Sequence, residues 1–99
     1  MKKELTEEMY NDFYRLLLSL STKEECKNLF DDLCTIKEVE QMVQRVHAAK
    51  LLIEGKTYNQ VIEETDISSA TLSRVSRCVQ YGKGYLPLIG KINGGDGTR

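Results

Sequence analysis

Near residue 70 the chain gathers hydroxyls and guanidinium groups: Ser68, Ser69, Ala70, Thr71, Ser73, Arg74 and Arg77. Hydroxyls donate to and accept from base edges and phosphates, and arginine reaches guanine edges or phosphate oxygens. Small residues at the start of a helix let it enter the major groove of B-DNA, about 12 Å wide. With a period of 3.6, Ser69, Ala70, Ser73, Arg74 and Arg77 share one side of a helix, and Leu72 and Val75 lie on the other. No acid occurs between Ser68 and Lys83, so nothing on that side repels a polyanion. Thr57 and Tyr58, which open the preceding segment, join these as candidate DNA-contacting residues.

Other residues that could do chemistry lack partners at working spacing. His47 is the single histidine and has no Ser/Asp or Cys partner at catalytic spacing; it is expected at the surface or boundary of a long helix. Asp31-Asp32 and Glu63-Glu64 are adjacent pairs, which point to different sides of a helix and act as solvated faces or caps. Tyr10, Tyr14 and Tyr58 read as core or interface residues. Cys26, Cys34 and Cys78 show no CxxC spacing and are expected as reduced, buried thiols. No catalytic residue, metal site or cofactor is predicted, and the chain does not read as an enzyme.

The elements that must position the hydroxyl–arginine face are two short helices. Thr57-Tyr58-Asn59-Gln60 has the form of a capping box and starts one that runs to about Thr65; Ser68 caps the next, which runs to about Tyr81. A turn of about three residues joins them, as a helix-turn-helix requires. Asp66 is the candidate for the left-handed turn position, which aspartate visits more readily than most residues. Ile67, just before the cap, and Leu72, at the fourth helical position, have the spacing of a hydrophobic staple. Val61, Ile62, Ile67, Leu72 and Val75 form the expected inner face.

Helical periodicity governs the rest. Thr6 caps a first helix from about Glu7 to Leu20 with a broad stripe of Met9, Phe13, Leu16, Leu17 and Leu20, wider than a small domain needs and suggestive of a second chain. Overlapping capping boxes at Ser21–Glu25 precede a second helix carrying Cys26, Leu29, Phe30 and Leu33. Thr35-Ile36-Lys37-Glu38 opens a long third helix whose Val39, Met42, Val43, Val46, Ala49 and Ile53 are expected to face inward, with Gly55 ending it. Gly82 and Gly84 stop the fifth helix. The segment Tyr85–Ile89, apolar but holding Pro87, fits a docking arm, a sixth helix or a dimer contact, and residues 93–99 are expected to be disordered. The predicted organisation is one small domain: a helical dimerisation region over residues 1–55, the helix-turn-helix over 56–82 and a C-terminal tail over 83–99.

Composition agrees. The 99 residues suit one domain, and 40% hydrophobic and 29% charged residues are ordinary for a soluble protein. No apolar run approaches the ~20 residues of a membrane span, and no signal peptide is read at the start, so a cytoplasmic location is expected. The net charge of −1 hides an asymmetry: residues 1–40 carry −4 and residues 41–99 carry +3. Salt screens charges beyond ~8–10 Å, so the local balance around residue 70 matters more than the total.

From about Phe30 to Gly82 the chain resembles the Trp-repressor superfamily, and most of all its YerC/YecD-type branch. The residues that carry this are Phe30-Asp-Asp-Leu-Cys-Thr-Ile36, Gln44-Arg45-Val46, Gly55-Lys-Thr-Tyr58 and, most specifically, Ala70-Thr-Leu-Ser-Arg-Val-Ser-Arg-Cys-Val-Gln-Tyr-Gly82. The resemblance implies an all-α fold and an intertwined dimer built by the N-terminal helices. It also implies an effector pocket on Thr35, Arg45 and Arg74. The family's tryptophan pocket has a glycine directly after that last arginine, where the indole packs; here Val75 stands instead, and the turn is one residue shorter. Tryptophan is therefore not expected to bind.

The expectation is a homodimeric bacterial regulator, acting as a repressor, that binds double-stranded DNA sequence-specifically through the helix-turn-helix, with no membrane partner and an unknown effector. The competing reading is a helical protein–protein interaction module that does not bind DNA itself.

Overall fold

The computed structural model describes residues 3–93, and among them the chain is all-α, with six helices and no strand. They are α1 (Glu7–Leu18), α2 (Lys23–Leu33), α3 (Ile36–Ile53), α4 (Tyr58–Thr65), α5 (Ser69–Tyr81) and α6 (Tyr85–Asn93). No helix among the described residues is long and apolar enough to cross a membrane. The tail expected to be disordered lies, from residue 94 on, outside the described residues. The chain divides into two compact units, Met1–Ile36 and Lys37–Arg99.

In the first unit, side-chain caps define the helix starts. The Thr6 hydroxyl accepts the Met9 N–H at 3.2 Å, and the Thr22 hydroxyl accepts the Glu25 N–H at 3.0 Å. Of the two overlapping boxes, Thr22 supplies the cap, and the Glu25 carboxylate reaches back to the Ser21 N–H at 2.8 Å. α1 stops at Leu18, two residues short of the expected end. The Ser19 N–H turns to the Arg15 and Leu16 carbonyls, Leu20 N–H bonds Leu17 O, and the Ser19 hydroxyl takes a further bond to Leu16 O at 2.6 Å. Such i→i+3 bonds tighten and close the last turn. Neither helix contains a buried residue. Tyr10, Tyr14 and Cys26 are exposed, so Cys26 is not the buried thiol expected, and of the two places expected for the tyrosines, core or interface, the core of the chain is not theirs. Tyr14 lies beside Phe13 with ring centroids 5.8 Å apart.

The second unit owns the core: Ala48, Ala49 and Leu51 of α3, Val61 of α4, Ile67 of the turn, Leu72 and Val75 of α5, and Ile89 of α6. Gly55 adopts φ +96°, and the Lys56 and Gly55 N–H groups bond Leu51 O and Leu52 O, the paired pattern that ends a helix on a left-handed residue. α3 has 18 residues, a length of about 27 Å. Its buried residues, Ala48, Ala49 and Leu51, all lie in the C-terminal half. Val43 and Val46, expected to face inward, are exposed instead. Cys34 and Cys78 are half-buried, and all three thiols are free. The segment around Pro87 is helical. Pro87 sits in the first turn of α6, where an N–H has no partner inside the helix and its loss costs nothing.

Candidate nucleic-acid interface

The helix-turn-helix is held by local chemistry at each joint. At the start of α4 the Thr57 hydroxyl accepts the Gln60 N–H at 3.2 Å, and the Gln60 side-chain oxygen accepts the Thr57 N–H at 2.9 Å, a complete capping box. α4 ends on Asp66 at φ 62°, ψ 22°, with its N–H on Ile62 O. A non-glycine residue in this region carries some strain, least for Asn and Asp. Ser68 then caps α5: its hydroxyl accepts the Thr71 N–H at 3.2 Å and donates to the Thr71 hydroxyl at 2.9 Å. Ile67 and Leu72, one residue before the cap and four after it, are both buried, and α5 packs on α4 and α6.

This scaffold sorts the side chains of α5. Leu72, Val75 and Ser76 are buried. Ser69, Ala70, Ser73, Arg74 and Arg77 are exposed on the opposite side, while Thr71 is half-buried and its hydroxyl is engaged by Ser68. Thr57 and Ser68 are exposed but are occupied as caps, and Tyr58 is about half exposed at the first position of α4. The structure thus groups five α5 side chains into one free face and gives Thr57, Ser68 and Thr71 a structural task.

Beside that face lies a cleft of about 510 Å³ lined by Arg45, Ala70, Thr71, Arg74, Val75, Cys78 and Tyr85. It brings together two of the three residues of the implied effector pocket, Arg45 and Arg74, with Val75. Val75 is only 2% exposed, its side chain being part of the core. Thr35 belongs to the N-terminal unit and is not among the lining residues. Sequence reasoning missed Tyr85 and Cys78 at this cleft, because Tyr85 arrives on α6 and only the tertiary packing of α6 on α5 places it there.

His47 does not stand free on α3. Its Nε2 lies 3.1 Å from Glu64 Oε2. Among the described residues no group of His, Cys, Asp and Glu could hold a metal ion.

Comparison with known proteins fits this geometry. The model of the Trp repressor protein family matches residues 8–88. The uncharacterized protein YerC of Bacillus subtilis (strain 168) is 48% identical over 72 residues, which are 73% of this chain and 69% of that protein. The crystal structure of a candidate Trp repressor from Staphylococcus aureus superposes with a TM-score of 0.84 at 35% identity, covering 89% of each chain. A TrpR-like protein from Eubacterium eligens ATCC 27750 superposes with a TM-score of 0.82 at 36% identity, covering 89% of this chain and 91% of that one. With its matching helices, helix-turn-helix and sequence, the chain belongs to the Trp repressor family.

Proposed function

We propose that the chain is a cytoplasmic, homodimeric bacterial transcription regulator, a repressor, that binds double-stranded DNA sequence-specifically with α5 in the major groove. The observation that carries the reading is the exposed, acid-free face of Ser69, Ala70, Ser73, Arg74 and Arg77, backed by a buried Leu72–Val75 side. The N-terminal small residues meet base edges, where a recognition helix reads sequence. The arginines, a turn or more further along, reach phosphates, which add affinity without sequence information. Membership of the Trp repressor family supports the regulatory role.

Dimerisation rests on unpartnered apolar surface. Met9, Tyr10, Phe13 and Leu16 of α1 are between 40% and 54% exposed. In the other unit an apolar groove of about 800 Å³ runs along α6 past Val46, Leu88, Ile89 and Ile92. Exposed apolar side chains grouped in this way are the kind of surface that protein–protein contacts cover.

The reading is tested on α5. Ala70→Glu places a carboxylate against groove acceptors and phosphates and should abolish binding to a duplex selected from a random pool by the wild type. Arg77→Ala should weaken selected and bulk DNA alike and lower the salt slope by about one unit. Both positions point away from the core, so circular dichroism should show the fold intact. If Ala70→Glu binds every DNA as the wild type does, α5 is not in the groove and an interaction module without DNA binding becomes the better reading. Regulation by tryptophan is not part of the proposal. Val75 stands where the resemblance puts a glycine beside the indole, and calorimetry with millimolar tryptophan should show no saturable binding.

A further inference from the structure

An eight-residue helix is well below the length that is stable alone, and its last carbonyls have no partner within the helix. In α4 two of these groups find partners beyond the helix. Asp66 N–H bonds Ile62 O at 2.8 Å, and the Thr65 hydroxyl adds a bond to Val61 O in the turn before, at 2.7 Å. The same hydroxyl accepts the Ile67 N–H at 3.3 Å, so Thr65 ties the end of α4 to the residue that staples α5. The Thr65 carbonyl is satisfied by α3: the Gln44 side-chain amide donates to it at 2.8 Å in a partly buried setting, across 21 residues of sequence. One turn along the same face of α3, His47 meets Glu64 at 3.1 Å. That second contact is half exposed on both sides and is worth little. The Gln44 bond is the better shielded of the two.

We infer that Gln44 is a positioning residue of the helix-turn-helix: its amide clamps the last turn of α4 to α3 and so fixes the direction in which the Asp66 turn sends α5. Gln44 itself touches no DNA. It acts through Thr65, Ile67 and the staple to Leu72. The role in recognition rests on the DNA-binding reading above, whereas the clamp itself does not.

The test uses the full chain and amide hydrogen exchange. Gln44→Met keeps length and helix preference and removes the donor; Gln44→Lys restores a donor of similar reach. Gln44→Met should speed exchange at the Asp66 and Ile67 amides about five-fold, the loss of one shielded hydrogen bond, while the Leu72 amide, bonded to Ser68 O, keeps its wild-type rate. Gln44→Lys should return Asp66 and Ile67 towards the wild-type rates. A general loss of stability would instead raise all three amides together. Against DNA, Gln44→Met should bind a pool-selected duplex several-fold more weakly and calf-thymus DNA with unchanged affinity and salt slope. Unchanged exchange at Asp66 and Ile67, or a uniform rise, overturns the clamp. If wild-type protein binds neither DNA, the DNA-binding reading fails and the exchange pattern still decides the clamp by itself.

Discussion

The unit Met1–Ile36 and the unit Lys37–Arg99 meet the same burial problem in different ways. Both are built of amphipathic helices with side-chain caps. Yet α1 and α2 bury no residue, while the second unit packs eight hydrophobic residues from four helices and a turn into one core. Periodicity shows that a helix has an apolar face; it does not show whether the chain itself supplies the cover. In the second unit the cover of the core is internal, although Val46, Leu88 and Ile92 stay exposed along α6, and the face that α5 leaves over is polar and suited to a ligand. In the first unit the face left over is the apolar one, Met9, Phe13 and Leu16, and what suits it is another protein surface.

The largest effect expected from this contrast is in the core. Leu72→Ala empties a fully buried site and should cost about 2–5 kcal/mol, read as a lowered denaturation midpoint. Phe13→Asp, at a residue 40% exposed, should instead leave the fold of the second unit intact by circular dichroism and shift sedimentation from dimer to monomer. A Phe13→Asp protein that remains dimeric at micromolar concentration would show that the exposed stripe of α1 is not what joins the copies, and the contrast would lose its meaning.

A smaller effect is expected at the joint within the second unit. Asp66 holds φ 62° without being glycine. Asp66→Gly removes the Cβ crowding of that conformation and should stabilise by about 0.5 kcal/mol, after the greater entropy that glycine loses on folding. Asp66→Ala, which lacks the polar side chain that eases the left-handed region, should cost about 1 kcal/mol. Chemical denaturation ranks the three proteins, and an Ala variant as stable as wild type would mean that the turn relaxes to another conformation.

What the sequence disclosed follows the range of the signal. Thr6, Thr22, Thr57, Ser68, Gly55 and Asp66 act on groups within five residues of themselves, so residue type and spacing were enough to place them. The Ile67–Leu72 staple is similarly local. The exposure of Val43 and Val46, the arrival of Tyr85 at the Arg45–Arg74 cleft and the bond from Gln44 to Thr65 depend on which helices meet, and no local pattern encodes that. Pro87 left the sixth helix as one of three alternatives for a related reason. A proline breaks a helix interior but suits a first turn, and which of these it occupies is decided by where Gly84 lets α6 begin. Cys26 lies on an apolar stripe that the chain leaves uncovered, so pattern alone suggested a burial that the fold does not supply.

The smallest effect sharpens the comparison from the side of the first unit, which lacks a core and leans on exposed hydrogen bonds. The Glu25 carboxylate accepts from the Ser21 N–H at 2.8 Å and from the Ser21 hydroxyl at 3.1 Å. These donors, the backbone bond first, hold its pKa below the ordinary value of 4.5. A group whose folded pKa is depressed adds stability above its unfolded pKa and loses it as pH falls through the folded one. Glu25→Gln keeps an acceptor oxygen but no charge, and it also gives up the favourable placement of an anion in the first turn of α2. Wild type should therefore melt slightly above Glu25→Gln at pH 6, and the gap should close as the pH is taken from 5 to 3. The carboxylate is fully exposed, so the gap should also shrink in 1 M salt. A gap that persists at pH 3 would show that the Ser21–Glu25 contact stabilises α2 through packing and not through charge.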